Sequence, residues 1–115
     1  MSEMTVSEKE IGNVCVLAPR GRLDGNSASD FEETLTAIID GGKTRLVMDL
    51  AELVYISSAG LRTLLTAAKK IKTVDGQLAF CGLNDTVKEV FEISGFTAIL
   101  NVADSLDAAV AAVGD

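Results

Sequence analysis

The sequence predicts an α/β domain with a mixed, largely parallel sheet of four to five strands and about four helices, in the order β-β-α-β-α-β-α-β-α. Two observations lead to this fold class. Short apolar runs alternate with longer segments whose apolar residues recur at helical spacing. Residues 46–50 are apolar at almost every position, as in a strand covered on both faces of a parallel sheet. Such alternation implies parallel pairing through right-handed crossovers.

Two strands and a loop open the chain. Residues 4–10 and 12–18 have the composition of strands, with a turn near Gly12 between them. Pro19 is expected to end the second strand, because proline has no N–H group to donate to a strand ladder. Residues 21–26 are then predicted to form a loop that leads into the first helix.

The first predicted helix has one apolar face and ends at the pair Gly41-Gly42, which is typical of a helix C-terminus. Its inward face consists of Ala28, Phe31, Leu35, Ile38 and Ile39. A buried strand over residues 45–50 follows, and a loop connects it to the second helix. The apolar positions of that helix are Leu61, Leu64, Leu65, Ala68 and Ile71.

A third strand–helix unit begins after the turn signal Asp75-Gly76. The strand is predicted over residues 77–83. Either Asn84 or Asp85 is positioned to cap the helix that follows, which stops at Gly95. The inward residues of this helix are Val87, Val90 and Phe91.

The end of the chain adds a short strand and a last helix. The strand is expected around residues 99–102, and Ser105 is positioned to cap the helix. The helix has a clean apolar stripe of Leu106, Ala109, Val110 and Val113. A chain of 115 residues is near the usual domain size, and 48% apolar residues are enough for one core. We therefore predict a single domain over residues 1–115.

The composition argues against several partners. The formal net charge is −7, which disfavours binding to DNA, RNA or an acidic membrane face, and suits a basic partner surface. With 4% aromatic residues and no Trp, a stacking platform for single-stranded nucleic acid is absent. No apolar run approaches the roughly 20 residues that span a bilayer, and residues 1–4 do not resemble a targeting segment. We expect a cytoplasmic protein that binds no nucleic acid and does not insert into membranes.

The sequence contains no recognisable catalytic or metal-binding set. Because the chain has no histidine, neither Cys15 nor Cys81 has an imidazole to activate it, and a zinc site lacks its ligands. Both cysteines lie in strand-like runs, which favours buried free thiols, with a disulfide as the alternative. Gly42-Lys43-Thr44 matches the end of a P-loop, but Ala37 occupies the first glycine position and the order of elements is reversed. We predict that the protein is not an enzyme and needs no cofactor or metal.

A pair of serines lies where the buried strand leads into the second helix. Ser57 and Ser58 precede the change from strand-like to helical spacing, so they are expected at a helix N-terminus. Unpaired backbone N–H groups and the helix dipole favour negative charge there. A serine at this position can cap the helix, which is the commoner role, or it can carry a phosphate. The local pattern leaves both roles open.

Three segments carry motifs in a characteristic order. Residues 21–24 read Gly-Arg-Leu-Asp. Residues 46–50 end in Asp-Leu, and a short loop leads to Ser-Ser-Ala-Gly-Leu at residues 57–61. Residues 84–96 close with Ser-Gly-Phe. Together they resemble the STAS domains of bacterial anti-sigma factor antagonists over nearly the full chain. The corresponding family motifs are Gly-Glu-Leu-Asp, Asp-Ser-Ser/Thr-Gly-Leu and a later helix ending in Ser-Gly-Leu/Phe.

The resemblance implies a STAS fold and a regulatory role for Ser58. In the family, the serine at this position is the phosphorylation site. The unmodified module sequesters an anti-sigma factor that is also a serine kinase, and phosphorylation by that kinase ends the complex. A metal-dependent serine phosphatase then restores the module. Two residues depart from the family pattern: Ser57 replaces an acid and becomes a competing acceptor, and Ala59 replaces a Ser or Thr.

The resemblance also implies a set of partner-binding residues. Asp24 matches a family residue beside the serine and is expected to contact the partner or to hold the loop. Gly60 leaves room for a close backbone approach because it has no Cβ. Ser57 and Arg62 complete the expected interface, whereas Leu61 is expected in the core.

A second function is compatible with the same resemblance. Some STAS modules act as accessory subunits of lipid-transport ATPases or of larger signalling assemblies, without phosphorylation. Ser57 and Ala59 favour this alternative, because they depart from the phosphorylated pattern.

Overall fold

The computed structural model describes residues 4–114, which form an open five-stranded sheet flanked by helices. The strands are β1 (Thr5–Ile11), β2 (Val14–Leu23), β3 (Arg45–Asp49), β4 (Leu53–Ile56) and β5 (Gln77–Cys81). The helices are α1 (Ala28–Asp40), α2 (Ser58–Thr73), α3 (Asp85–Ile93), α4 (Phe96–Ile99) and α5 (Leu106–Val113). The predicted fold class is confirmed. That one domain extends over residues 1–115 stays a prediction, and residues 1–3 and 115 lie outside the described part.

The sheet has the order β1-β2-β3-β5, and β4 pairs with the end of β2. Only the hairpin of β1 and β2 is antiparallel, while the other three pairings are parallel. The carboxyl ends of β2, β3, β4 and β5 therefore all lie at the same end of the sheet. The loop after β2 and the start of α2 both emerge there, and this position brings the candidate site together.

The apolar core lies on both faces of the sheet. Along β2, β3 and β5, neighbouring side chains alternate between a large cluster shared with α1, α2 and α3 and a smaller one shared with α5. On β3, for example, Leu46 and Met48 enter the large cluster and Val47 enters the small one. This double burial is why residues 46–48 are apolar without alternation, as the sequence predicts.

The middle of the chain differs from the prediction. The loop expected over residues 21–26 begins only after Leu23, since β2 continues through Pro19, and the connection after β3 contains the unpredicted strand β4. β2 pairs with β3 through residues 15–17 and with β4 through residues 21–23. Pro19 falls between these two parallel ladders, where no parallel partner requires its missing N–H group. The expectation that Pro19 ends the strand is wrong for this reason.

The end of the chain also differs. The strand expected at residues 99–102 does not form: the single turn α4 ends at Ile99, and Val102 forms an isolated parallel bridge to Phe80 of β5. Gly95 ends the preceding helix with a φ of 75°, and Phe96 then packs its ring against Phe91 at 6.1 Å between centroids. In the described residues, β4 is therefore the fifth strand of the sheet. The helices number five, where about four were predicted, because α4 is an additional one.

The predicted helix caps are mostly correct. Asn84, rather than Asp85, caps α3 by accepting a hydrogen bond from the N–H of Val87 at 2.9 Å. Ser105 caps α5 by accepting from the N–H of Ala108 at 3.0 Å. The same Asn84 side chain donates to the carbonyl of Leu53 at 2.7 Å, which ties α3 to β4. Asn84 therefore holds α3 on the sheet as well as starting it, whereas Ser105 only starts α5.

The two cysteines are buried free thiols, as predicted. Cys15 faces the large cluster and Cys81 the small one, so the sheet separates them. Burial raises the pKa of each thiol to about 11, helped by Glu8 beside Cys15 and by Asp49 beside Cys81. Both thiols are protonated at neutral pH and are weak nucleophiles.

Candidate functional site at the start of helix α2

The two serines at the start of α2 have different roles. Ser57 is the N-cap: its backbone is extended, and its Oγ accepts a hydrogen bond from the N–H of Gly60 at 3.2 Å. Ser58 is the first helical residue and is exposed. Within residues 4–114, no group forms a hydrogen bond with its hydroxyl. The capping role and the accessible hydroxyl therefore belong to separate residues, which the sequence alone left undecided.

The surroundings of Ser58 favour added negative charge. The first turn of α2 contains no acidic residue, and the first N–H groups of the helix point toward this end. Arg62 is exposed one turn further along the helix, on the same side as Ser58. An anionic group on the Ser58 hydroxyl would therefore be tolerated by the folded domain.

Asp24 follows β2 in a loop that is tied by hydrogen bonds. Its Oδ1 accepts from the N–H of Asn26 at 3.0 Å, and its backbone N–H donates to the Oγ of Ser27, also at 3.0 Å. The Ser27 hydroxyl in turn donates to the carbonyl of Arg22 at 2.8 Å. Ser27 is buried, and sequence reasoning did not identify it. Its position just before an amphipathic helix is a signal that could have done so.

The Asp24 loop and the start of α2 are fastened to each other. The N–H of Ser57 donates to the carbonyl of Leu23 at 2.9 Å, directly beside Asp24. Gly60 packs on the same carbonyl, because a Cβ at this position would lie 2.7 Å from it. The close backbone approach expected at Gly60 is therefore made by β2 of the same chain. Gly60 is buried, so it supports the surface from below instead of forming part of it.

Two further exposed residues line this end of the sheet. Arg22 and Tyr55 are neighbours in the ladder between β2 and β4. The guanidinium carbon of Arg22 lies 4.3 Å from the centre of the Tyr55 ring, and its Nε lies 3.6 Å from Oδ2 of Asp24. Sequence reasoning missed this pair as a unit, because the predicted fold lacked β4 and so lacked the pairing that joins them.

The structure thus brings three of the predicted site residues together. Asp24 and Ser57 lie at adjoining strand ends, and Ser58 follows at the helix start. Arg62 is exposed on the next turn, and Leu61 is buried in the core, as expected. In residues 4–114, no cluster of Cys, Asp and Glu side chains could hold a metal ion. The chemical group that this site offers is an accessible hydroxyl.

No helix in the described part of the chain is both long enough and apolar enough to cross a lipid bilayer.

The fold and the site together describe a small mixed α/β module that presents a serine at the start of a helix. The chain belongs to the STAS domain family, whose model matches residues 5–109. A Bordetella bronchiseptica protein, named provisionally as the anti-sigma factor antagonist BtrV, is 43% identical over 109 residues, which is 95% of this chain and 94% of that protein. The anti-sigma-B factor antagonist of Staphylococcus aureus is 26% identical over 87 residues, covering 76% of this chain and 81% of that one.

Solved structures share the same fold. A crystal structure described as an anti-sigma factor antagonist of Thermotoga maritima, also provisionally, superposes with a TM-score of 0.88 at 21% identity, covering 94% of this chain and 93% of that one. The phosphorylated form of the Bacillus protein SpoIIAA superposes with a TM-score of 0.72 at 20% identity, covering 96% of this chain and all of that one. At these identities the likeness establishes the fold alone.

Proposed function

We propose that this protein is an anti-sigma factor antagonist whose binding is switched by phosphorylation of Ser58. The observation that carries the proposal is the division of roles at the start of α2. Ser57 caps the helix, and the Ser58 hydroxyl is left exposed and without a partner among the described residues. Family membership and the names of the relatives support the same class of function.

The proposed partner is an anti-sigma factor that is also a serine kinase. The unmodified module sequesters this kinase, which transfers a phosphoryl group from ATP to Ser58. A metal-dependent serine phosphatase reverses the modification. Both reactions belong to the cytoplasm, where ATP is available to the kinase. The module itself supplies only the acceptor hydroxyl and the binding surface around it.

Phosphorylation acts through local charge. A phosphoserine carries about −1.5 to −2 charges at pH 7, at a surface point that was neutral. In the complex, this charge would be desolvated close to the phosphates of the kinase's nucleotide. A loss of about 2.7 kcal/mol would weaken binding roughly a hundredfold. In the free domain the start of α2 tolerates the phosphate, so binding changes while the fold is retained.

Ser58, rather than Ser57, is expected to take the phosphate. The Ser57 hydroxyl already accepts the hydrogen bond from Gly60 and is only partly exposed, whereas Ser58 is exposed. The check is to incubate the protein with its anti-sigma factor kinase and ATP and to map the modified peptide by mass spectrometry. Modification of Ser57 alone, or of neither serine by a kinase that binds the protein, would contradict the proposal.

Substitutions at Ser58 should show whether negative charge, and not a change in side-chain shape, weakens binding of the kinase. We expect Ser58→Asp to weaken binding of the kinase at least about tenfold, or roughly 1.4 kcal/mol, because it places a permanent negative charge in the interface. Ser58→Ala should bind nearly as the wild type and remain bound when ATP is added. Both variants should fold, since acidic groups suit a helix N-terminus. Affinities can be measured by isothermal titration calorimetry.

The same measurements distinguish the alternative function. If wild type, Ser58→Ala and Ser58→Asp bind with equal affinity, the electrostatic switch is wrong. If the protein co-purifies with a transporter ATPase and no kinase binds it, the chain is an accessory subunit that works without phosphorylation.

A further inference from the structure

Arg22 and Tyr55 form a preorganised pair on the exposed end of the β2–β4 ladder. The guanidinium lies over the Tyr55 ring at 4.3 Å and contacts the Asp24 carboxylate at 3.6 Å, so it is held on two sides. It is nevertheless open to a partner, because the Arg22 side chain is 48% exposed and Tyr55 is 38% exposed. Arginine and tyrosine are, with tryptophan, enriched at binding hot spots, and both combine apolar area with polar groups.

The pair is continuous with the candidate site. Arg22 is separated from Asp24 only by Leu23, whose carbonyl accepts the hydrogen bond from Ser57. Tyr55 lies on β4, the strand that leads directly into Ser57 and Ser58. A protein that covers Ser58 and Asp24 therefore also meets this pair, without any rearrangement of the domain.

Two arginines are exposed near the serine pair of an otherwise acidic chain. The net charge is −7, yet Arg22 and Arg62 are both exposed, and the Arg22 guanidinium contacts one carboxylate, that of Asp24, at 3.6 Å.

We propose that Arg22, stacked on Tyr55, selects a partner with an acidic side chain opposite the guanidinium and an apolar contact for the Tyr55 ring. This inference rests on the proposed function, since the partner is the anti-sigma factor kinase. Arg22 thereby disfavours a kinase that presents a basic side chain at this position. Such complementarity acts mainly on the association rate and on the choice of partner.

The test compares charge changes of equal size at two places. The probe is a purified anti-sigma factor kinase that binds the wild-type chain. We expect Arg22→Glu to weaken binding at least about tenfold, chiefly through slower association, and Arg22→Gln to have a smaller effect in the same direction. Lys9→Glu is the matched control, because it makes the same charge change on the exposed strand β1. Lys9→Glu should leave the affinity for the kinase within about twofold, since an exposed charge outside the interface contributes little to binding.

Salt and Ser58 variants complete the experiment. The difference between wild type and Arg22→Glu should shrink as ionic strength rises, because the Debye length falls from about 10 Å at 0.1 M to about 3 Å at 1 M. Equal affinities for Arg22→Glu and Lys9→Glu, with thermal midpoints near that of the wild type, would overturn the inference. If Ser58→Asp alone weakens binding, the switch stands and the selecting role of Arg22 is wrong. If Arg22→Glu alone weakens binding, the selecting surface stands and the switch is wrong.

Discussion

Leu64→Ala is expected to lower the free energy of unfolding by about 2–5 kcal/mol, because it removes a fully buried side chain and leaves a cavity. Leu64 has no exposed surface and lies on the inner face of α2, within the large core cluster. In a domain of this size, each kcal/mol shifts the thermal midpoint by about 4 °C. The midpoint should therefore fall by many degrees, which calorimetry or thermal circular dichroism can measure.

Asp24→Ala is the comparison for this prediction. The Asp24 carboxylate accepts a hydrogen bond from the N–H of Asn26 at the protein surface. In the Ala variant, this exposed N–H can donate to water instead. The cost should be about 1 kcal/mol or less, while binding of the kinase or phosphorylation of Ser58 should weaken. If Asp24→Ala destabilised the protein as much as Leu64→Ala, Asp24 would be a structural residue and would leave the proposed binding surface.

Gly60→Ala is expected to destabilise the domain by about 1–3 kcal/mol, the usual cost of forcing an extra methyl group into a packed site. The added Cβ would lie 2.7 Å from the carbonyl oxygen of Leu23, 2.8 Å from its Cγ and 2.9 Å from Cγ1 of Ile56. Helix propensity acts in the opposite direction, since alanine is favoured over glycine within a helix by about 1 kcal/mol. The sign of the measured change therefore shows which of the two effects dominates.

Gly25→Ala is the matched control for Gly60→Ala. A Cβ on Gly25 would meet no atom within 4 Å, so this variant should change the free energy of unfolding by less than about 0.5 kcal/mol. Chemical denaturation of both variants gives the comparison. A stabilised Gly60→Ala protein would mean that β2 and α2 are not in close contact at Gly60, and that the backbone beneath Ser57 can move to accept a methyl group.

Most elements of the fold could be predicted because their signals are local. The helical spacing of Phe31, Leu35 and Ile39 predicts α1 and its inner face, and the doubly buried run of β3 predicts a parallel sheet. Asn84 and Ser105 could be recognised as caps from their positions alone. The position of Ser58 at a helix start followed in the same way, from the change of apolar spacing after Gly60.

Other features depend on contacts between distant segments, so no local pattern contains them. β4 is a strand only because the far end of β2 pairs with it, and β2 continues past Pro19 to form this pairing. Near residue 102 the expected strand is reduced to a single bridge between Val102 and Phe80, so its extent depends on the distant strand β5.

The division of roles between Ser57 and Ser58 is likewise set by tertiary structure. Serine is a preferred N-cap residue, and either Ser57 or Ser58 is close enough to the first helical turn to act as the N-cap. The hydrogen bond from Ser57 N–H to the Leu23 carbonyl, together with the packing of Gly60 on that carbonyl, sets where the helix starts. Because β2 is far from α2 in sequence, only the folded chain determines that Ser57 caps the helix and that the hydroxyl of Ser58 faces solvent.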